Sequence, residues 1–440
     1  MDVKEKAKAK TSSEVSSSGQ IRNIQEMWDA AVEFFYNGKS DMYAMKAIYS
    51  KMIPSLSYQD IAIVFSGVYA DTYWNILFMD ASILSVNMQT ALLLSKDVAD
   101  KCACAAIAQW RGIYCRKDAS DKGSIPYSGT TYWNSIDVVC NGNIPLEPSE
   151  LLDDSNWIKS YWKDPVVGKN YVYTRCQNVQ FLNEIANPKV QMFYSYAGFN
   201  QPPSASTQIK TYNGGNDEGV VYLSSGKTGP MPLGKKGVSE AFSFEPSSSG
   251  HVCILSTIST EFFTKNNPKN IPVGNWNSMK YATWNGSSAW HNYSAQLSVV
   301  SNLAFYNQDG SPEVFSFVAN CRNVPVGSKI GLKSSDPKCS FDSGLIEITS
   351  SSQQIEHQII VPPNYRGDLI VTMSDMQGNM LPANAAVEIS MKWILNKGHK
   401  MYVQALSHLD AVEKAINSEE LSLHMGSYTL TGGNPIISQN

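Results

Sequence analysis

Residues 171–196 read YVYTRCQNVQFLNEIANPKVQMFYSY. Two runs rich in Val, Tyr and Phe flank a polar stretch that contains Asn-Pro, which is the composition of two strands and the turn between them. Similar short runs follow along the chain, at Val220–Leu223, Ala241–Phe244, Val252–Ile258 and Ala295–Val300. Turn-forming Asn, Gly, Pro and Ser separate them, so the segment 132–300 is predicted to form antiparallel sheets.

A second group of strand-like runs begins near residue 301. Its members are Val314–Ala319, Lys329–Leu332, Leu345–Ser350, Ile355–Val361, Asp368–Met373 and Ala386–Trp393. Six or seven strands in about a hundred residues match the size of one immunoglobulin-like sandwich. The segment 301–397 is therefore predicted to be a second β-sandwich.

The region before residue 117 has a different periodicity. Apolar residues such as Ile24, Met27, Trp28 and Ala31 recur at steps of three and four, which predicts a bundle of four or five helices over 21–116. Residues 1–20 carry four alternating lysines and a Ser-rich run, which predicts a disordered arm. Residues 117–131 are rich in Gly, Ser and Thr and are interpreted as a linker.

The C-terminal segment 398–440 is predicted to hold a short helix, from His399 to Ser418, followed by a loose tail. The expected fold class is therefore α+β and multi-domain. It consists of an N-terminal helical bundle, two immunoglobulin-like antiparallel β-sandwiches and a short C-terminal helix.

Three segments carry a family resemblance: YWNSIDVVCNG (132–142), KDPVVGKNYVYTRCQN (163–178) and PSSSGHVCILSTI (246–258). They are similar to bacterial immunoglobulin-like domains of the cell-adhesion-related, CARDB-like type. The block 301–395 resembles such domains more weakly, through the turn Val324–Gly327 (VPVG). The resemblance implies β-sandwiches that bind, space or present, and that are seldom catalytic.

Composition narrows the function further. Hydrophobic residues make up 43% of the chain, charged residues 17%, and the net charge is −4. No basic face of the kind that binds nucleic acid is evident, and no spacing of ligands suggests a metal or a cofactor. The leading hypothesis is a non-enzymatic binding or assembly protein of bacterial type, whose sandwiches contact a surface glycan, a protein partner or further copies of the chain.

Two other functions stay open. The segment 69–94 is amphipathic and poor in charge, and helices of this kind ahead of β-sandwiches are also the layout of a secreted, insecticidal pore-forming toxin. Contact with a membrane is expected only under that hypothesis. The third hypothesis is an enzyme with an unrecognised site near His251, which lies two residues before Cys253.

Aromatic residues provide the candidate ligand contacts. Trp276, Tyr281 and Trp284 lie among Asn, Gly and Ser and could stack on a sugar, although the alternative for Trp284 is packing between sheets. Arg366-Gly367-Asp368 spells a tripeptide that integrins recognise, but a structural bend at Gly367 is the favoured interpretation.

The sequence contains no run of 18 apolar residues and no apolar signal core near its start. The expected location is therefore the cytoplasm, or the outside of the cell by a leaderless export route.

Overall fold

The structure is a computed structural model. It describes residues 86, 89, 96, 110, 112–123, 127, 129, 131–160, 162–179, 184–196, 198–246, 252–260, 263, 266–271, 277–293, 295–296, 300–402 and 419–432. Strands dominate these residues. The helices with assigned bounds are short: the α-helices α1 (Pro148–Leu152), α2 (Asp154–Trp157) and α3 (Ser278–Trp284), and single 3₁₀ turns at Pro203–Ala205 and Pro268–Asn270.

The strands fall into two β units. In chain order they are β1 (Ile113–Tyr114), β2 (Val138–Cys140), β3 (Asn170–Asn178), β4 (Lys189–Tyr196), β5 (Gly198–Phe199), β6 (Thr207–Thr211), β7 (Gly219–Leu223), β8 (Lys236–Ser239), β9 (Phe242–Phe244), β10 (Val252–Ser259), β11 (Ser288–Tyr293), β12 (Ala295–Gln296), β13 (Val300–Asn307), β14 (Glu313–Arg322), β15 (Lys329–Ser334), β16 (Phe341–Asp342), β17 (Ile346–Glu347), β18 (Gln354–Val361), β19 (Tyr365–Ser374), β20 (Ala386–Asn396) and β21 (Glu420–Thr431).

The first unit is a ten-stranded sheet with the order β11-β10-β4-β6-β9-β3-β8-β7, and β1 and β2 pair with β3. Strand β7 also pairs with β4, where Val220 lies opposite Lys189. The pairings therefore run from β4 around to β7 and back to β4 as a closed circuit. This differs from the two separate sheets that were expected for residues 132–300.

The second unit is a pair of packed sheets, ordered β12-β21-β20-β14-β18 and β16-β15-β19-β13-β5. Pairs within the body of each sheet are antiparallel, while the short strands β12 and β5 pair in parallel at the edges. Phe305 of β13 and Phe317 of β14 meet between the sheets at a centroid distance of 5.1 Å. Because both side chains are fully buried, this edge-on contact between the two sheets is part of a sandwich core.

The two units share a hydrophobic interface. Strand β5 directly follows β4 of the first unit, yet it pairs with β13 of the second, with Gly198 opposite Ala304. The hydroxyl of Tyr428 donates to the carbonyl oxygen of Gly198 at 2.5 Å. The hydroxyl of Tyr132 donates to the carbonyl oxygen of Met425 at 2.8 Å. One cluster of buried residues thus runs from residue 127 to β21.

A buried ion-pair network lies inside the first unit. Asp137 is 1% exposed and contacts Arg116 at 2.5 Å and Arg175 at 3.3 Å. The guanidinium group of Arg116 stacks 4.1 Å from the ring centroid of Trp157. Desolvated charges require this pairing, so the network ties residue 116 to the strands that follow it.

These observations correct the expected fold class. Ile113 and Tyr114, predicted to end a helix, form β1 and pair with Asn178 and Gln177 of β3. The predicted tail contains β21, which pairs with β20 along its length. The predicted helical bundle before residue 110 lies largely outside the described residues, as do residues 403–418 of the predicted C-terminal helix.

The described part of the chain is thus mainly antiparallel β-sheet, and its helices are minor. Among the described residues, no helix combines the length and the apolar character needed to cross a membrane.

Candidate functional site

A groove opens in the second unit because two neighbouring strands have different lengths. Strands β15 and β19 pair from Lys329 opposite Ser374 to Lys333 opposite Ile370. Strand β15 ends at Ser334, whereas β19 extends back to Tyr365. The sequence Ser335-Asp336-Pro337 explains the end of β15, because proline has no amide hydrogen for a ladder.

The diverging chain then turns away from β19. The carboxylate of Asp336 accepts a hydrogen bond from the amide of Lys338 at 2.9 Å, which forms a local Asx turn. The resulting groove has a volume of about 610 Å³. Its lining comes from three segments: Asn302 and Ala304 of β13, Ser334 to Asp336, and Arg366, Gly367, Asp368 and Ile370 of β19.

Successive residues of β19 direct their main-chain amides and carbonyls alternately toward β13 and toward the β15 side, and this alternation determines which of them face the groove. The carbonyl oxygen of Tyr306 accepts a hydrogen bond from Asn200 at 3.2 Å, so it points away from β19. Tyr306 lies opposite Arg366, and in an antiparallel pair the two residues turn their main-chain groups in opposite directions when they are not bonded to each other. The amide and carbonyl of Arg366 therefore point toward the groove.

The pairing of β19 with β15 indicates the same alternation. Both main-chain groups of Leu332 bond to Ser343, on the side away from β19. Its partner Val371 therefore bonds to β13, and the residues with the same orientation as Arg366 are Asp368 and Ile370. Since the β15 ladder ends at Ile370, the amides and carbonyls of Arg366 and Asp368 form a strand edge that is open among the described residues.

The side chains above this edge are charged. Arg366 and Asp368 lie two residues apart on one face, and their ion pair has N–O distances of 2.9 and 3.2 Å. Both side chains are about half exposed. The hydrogen bond from the Lys338 amide lowers the pKa of the Asp336 carboxyl, so this group is ionised at neutral pH.

The core face of β19, opposite the side chains of Arg366 and Asp368, is tightly packed at Gly367. A Cβ atom at this position would overlap the ring of Phe305 and lie 2.8 Å from the ring of Tyr365. Gly367 is the third residue of β19 and pairs with Phe305, so it lies inside a strand and does not form the bend that was expected. The Arg-Gly-Asp tripeptide is therefore part of a sheet.

Two of the aromatic residues predicted as ligand contacts, Tyr281 and Trp284, do not line the groove. Tyr281 and Trp284 belong to α3 and are 2% and 4% exposed, and Trp276 lies outside the described residues. The hydroxyl of Tyr281 donates to the side-chain oxygen of Asn266 at 2.9 Å. The structure therefore places Tyr281 and Trp284 in the interior of the protein.

Cys253, the described residue of the hypothetical enzyme site, does not line the groove. His251 lies outside the described residues, and Cys253 is buried with its Sγ 3.4 Å from the hydroxyl of Tyr428. Burial raises the pKa of the Cys253 thiol to about 12. At neutral pH this thiol is protonated, which is the unreactive form.

Comparisons with known proteins give no family. No protein-family model matches the sequence, and no curated protein matches it. Among solved structures, a mutant of the CFA/I adhesin CfaE of enterotoxigenic E. coli aligns over 75% of this chain and 89% of its own, at 6% identity and a TM-score of 0.17. A TM-score this low does not establish a shared fold.

Proposed function

We propose that this chain is a non-enzymatic binding or assembly protein, and that the groove between β15 and β19 takes up an extended polypeptide segment. The observation that carries the proposal is the open main-chain edge at Arg366 and Asp368. An added strand would occupy the position that β15 leaves after Ser334. In this mode of recognition, main-chain hydrogen bonds supply affinity, and alternate side chains supply specificity.

The size of the edge favours modest affinity. Two residues present four main-chain groups, and each hydrogen bond contributes a net free energy of about 0.5–1.5 kcal/mol. The half-exposed pair of Arg366 and Asp368 adds a polar and reversible contact. Such a groove is suited to a peptide that binds reversibly, or to one that other contacts keep at a high local concentration.

Polypeptide is favoured over the other partners expected from the sequence. A glycan site would use exposed aromatic faces for stacking, and two of the three aromatic residues suggested for that role are buried. An open strand edge, in contrast, is specific for main-chain amides and carbonyls.

The test is a selection of displayed random octapeptides on the purified full chain. Ala304 faces the groove opposite Asp368, so the Ala304→Trp variant should fill it and abolish binding of the enriched peptides. The matched control is Lys329→Trp, which places the same side chain at an exposed position of β15 outside the groove. Equal binding of the peptides to both variants would overturn the proposal.

A further inference from the structure

We infer that the occupant of the groove is a segment of this chain itself, the lysine repeat Lys4–Lys10 (KEKAKAK). This inference rests on the proposed function and names the partner. The segment lies outside the described residues, and its sequence can be compared with the shape and charge of the groove.

The first argument is the spacing of the repeat. Lysines occupy positions 4, 6, 8 and 10, with Glu5, Ala7 and Ala9 between them. In a strand, residues two apart lie on one face, so all four lysines would share one side. The other side would carry two alanines, which are small enough for the core face of the sheet, where the rings of Phe305 and Tyr365 already lie.

The second argument is charge. The lysine face would meet the carboxylates of Asp336 and Asp368, which line the groove together with the single cation Arg366. Asp368 already forms an ion pair with Arg366, whereas Asp336 has no ion pair with a lysine or arginine of the described residues. A lysine beside Asp336 would therefore form a new ion pair, and both of its charged groups would be exposed to solvent.

The third argument is thermodynamic. A short, highly charged segment loses conformational entropy when it becomes a strand, so the free peptide would bind weakly. Attachment to the same chain, or to a neighbouring copy in an assembly, raises its effective concentration above that of the free peptide. A groove with only two open residues is then sufficient to hold it.

The test is amide hydrogen exchange in the full chain. Exchange at the amides of Arg366 and Asp368 should be slow in the wild-type protein. It should be about tenfold faster when Lys4, Lys6, Lys8 and Lys10 are all replaced by Glu, which corresponds to a loss of about 1.4 kcal/mol in the free energy of binding of the segment. Gly367 and Leu369 bond to β13 and serve as internal references. Equal exchange at Arg366 and Asp368 in the two proteins would overturn the inference.

A composition-matched variant separates strand addition from general attraction. Lys6→Ala combined with Ala7→Lys keeps every residue type but breaks the alternation. It should also expose the two amides, and wild-type exchange in this variant would contradict the strand arrangement. In addition, Asp336→Asn should reduce occupancy about twofold to fivefold, while Asp342→Asn, at a carboxylate paired with Lys333 outside the groove, should leave it unchanged.

The two proposals can fail separately. If the lysine variants leave exchange unchanged while selected peptides still bind in a manner that Ala304→Trp blocks, the inference fails and the groove remains a peptide site. If Ala304→Trp has no effect on any peptide, the proposed function fails as well.

Discussion

Tyr306 and Arg366 lie directly opposite each other on β13 and β19, with their main-chain groups turned away from one another. The carbonyl oxygen of Tyr306 is bonded to Asn200 on the outer side of β13. The corresponding groups of Arg366 point toward the position beyond Ser334, where β15 has ended. This relationship makes a short stretch of an interior strand behave as a sheet edge.

Gly367→Ala should destabilise the second unit. The added methyl group would overlap Phe305, and overpacking of this kind costs about 1–3 kcal/mol. That cost exceeds the roughly 0.5–1 kcal/mol that alanine gains over glycine in backbone entropy. Chemical denaturation measures the change. Gly310→Ala is the control, because a Cβ there meets nothing within 4 Å, and an equal loss in both variants would contradict the packing at Gly367.

Tyr428→Phe should weaken the contact between the two units. The hydroxyl of Tyr428 accepts from the amide of Gly198 at 2.9 Å and donates to its carbonyl oxygen, so its removal leaves two buried groups unbonded. The expected loss in the free energy of unfolding is about 1–3 kcal/mol.

The control is Tyr194→Phe, because the Tyr194 hydroxyl has no hydrogen bond with the described residues. Thermal denaturation monitored by calorimetry compares the two variants. Indistinguishable melting temperatures would show that the Tyr428 hydroxyl does not support the interface.

Asp137→Asn should be the most damaging single change among the charged residues of the first unit. It removes the negative charge between Arg116 and Arg175, of which Arg175 is fully buried. Breaking a buried pair in this way costs about 3–5 kcal/mol. Asp217→Asn removes an exposed partner of Lys210 and should cost less than about 1 kcal/mol. Urea denaturation tests the order, and a smaller loss at Asp137 would contradict it.

His291 should make stability depend on pH in the acid range. Burial lowers the pKa of His291 from 6.5 to about 4, and its Nδ1 lies 2.7 Å from the carbonyl oxygen of Ser135. The unfolded chain therefore binds a proton between these two pH values while the folded chain does not. The free energy of unfolding should fall by about 3 kcal/mol as the pH falls from 6.5 to 4.

The histidine contribution is isolated by comparison with His291→Gln, whose side-chain amide can still donate to Ser135. Stability of both proteins is measured by denaturant titration at several pH values. The wild-type curve should be steeper than that of the variant between pH 6.5 and 4. Parallel curves would show that another group is responsible.

Strand composition predicted much of the sheet structure. The runs at Tyr171–Cys176, Val252–Ile258 and Ile355–Val361 all lie within observed strands, because β-branched and aromatic residues dominate them. The strand β21 was missed, since its sequence ELSLHMGSYTLT is interrupted by Gly426 and Ser427. The pairing of strands distant in sequence could not be predicted from local composition either. Strand β5 pairs with β13 across about a hundred intervening residues, and the two strands meet only in the folded chain.

The groove itself was not predicted, although the sequence contains some of the features that form it. Ser335-Asp336-Pro337 marks the end of a strand, and Arg366 and Asp368 were noticed as part of a tripeptide. What the sequence does not contain is the register that places the end of β15 beside the middle of β19. An open edge is a property of two strands together, so reading either one alone does not reveal it.

Residue-resolved hydrogen exchange along β19 tests the central claim most directly, with the groove emptied by the four lysine-to-glutamate changes. Exchange should alternate, fast at Arg366 and Asp368 and slow at Gly367 and Leu369, and addition of a selected octapeptide should slow the two fast amides. Uniformly slow exchange in the emptied protein, or binding of the peptide without any change at Arg366 and Asp368, would contradict the account.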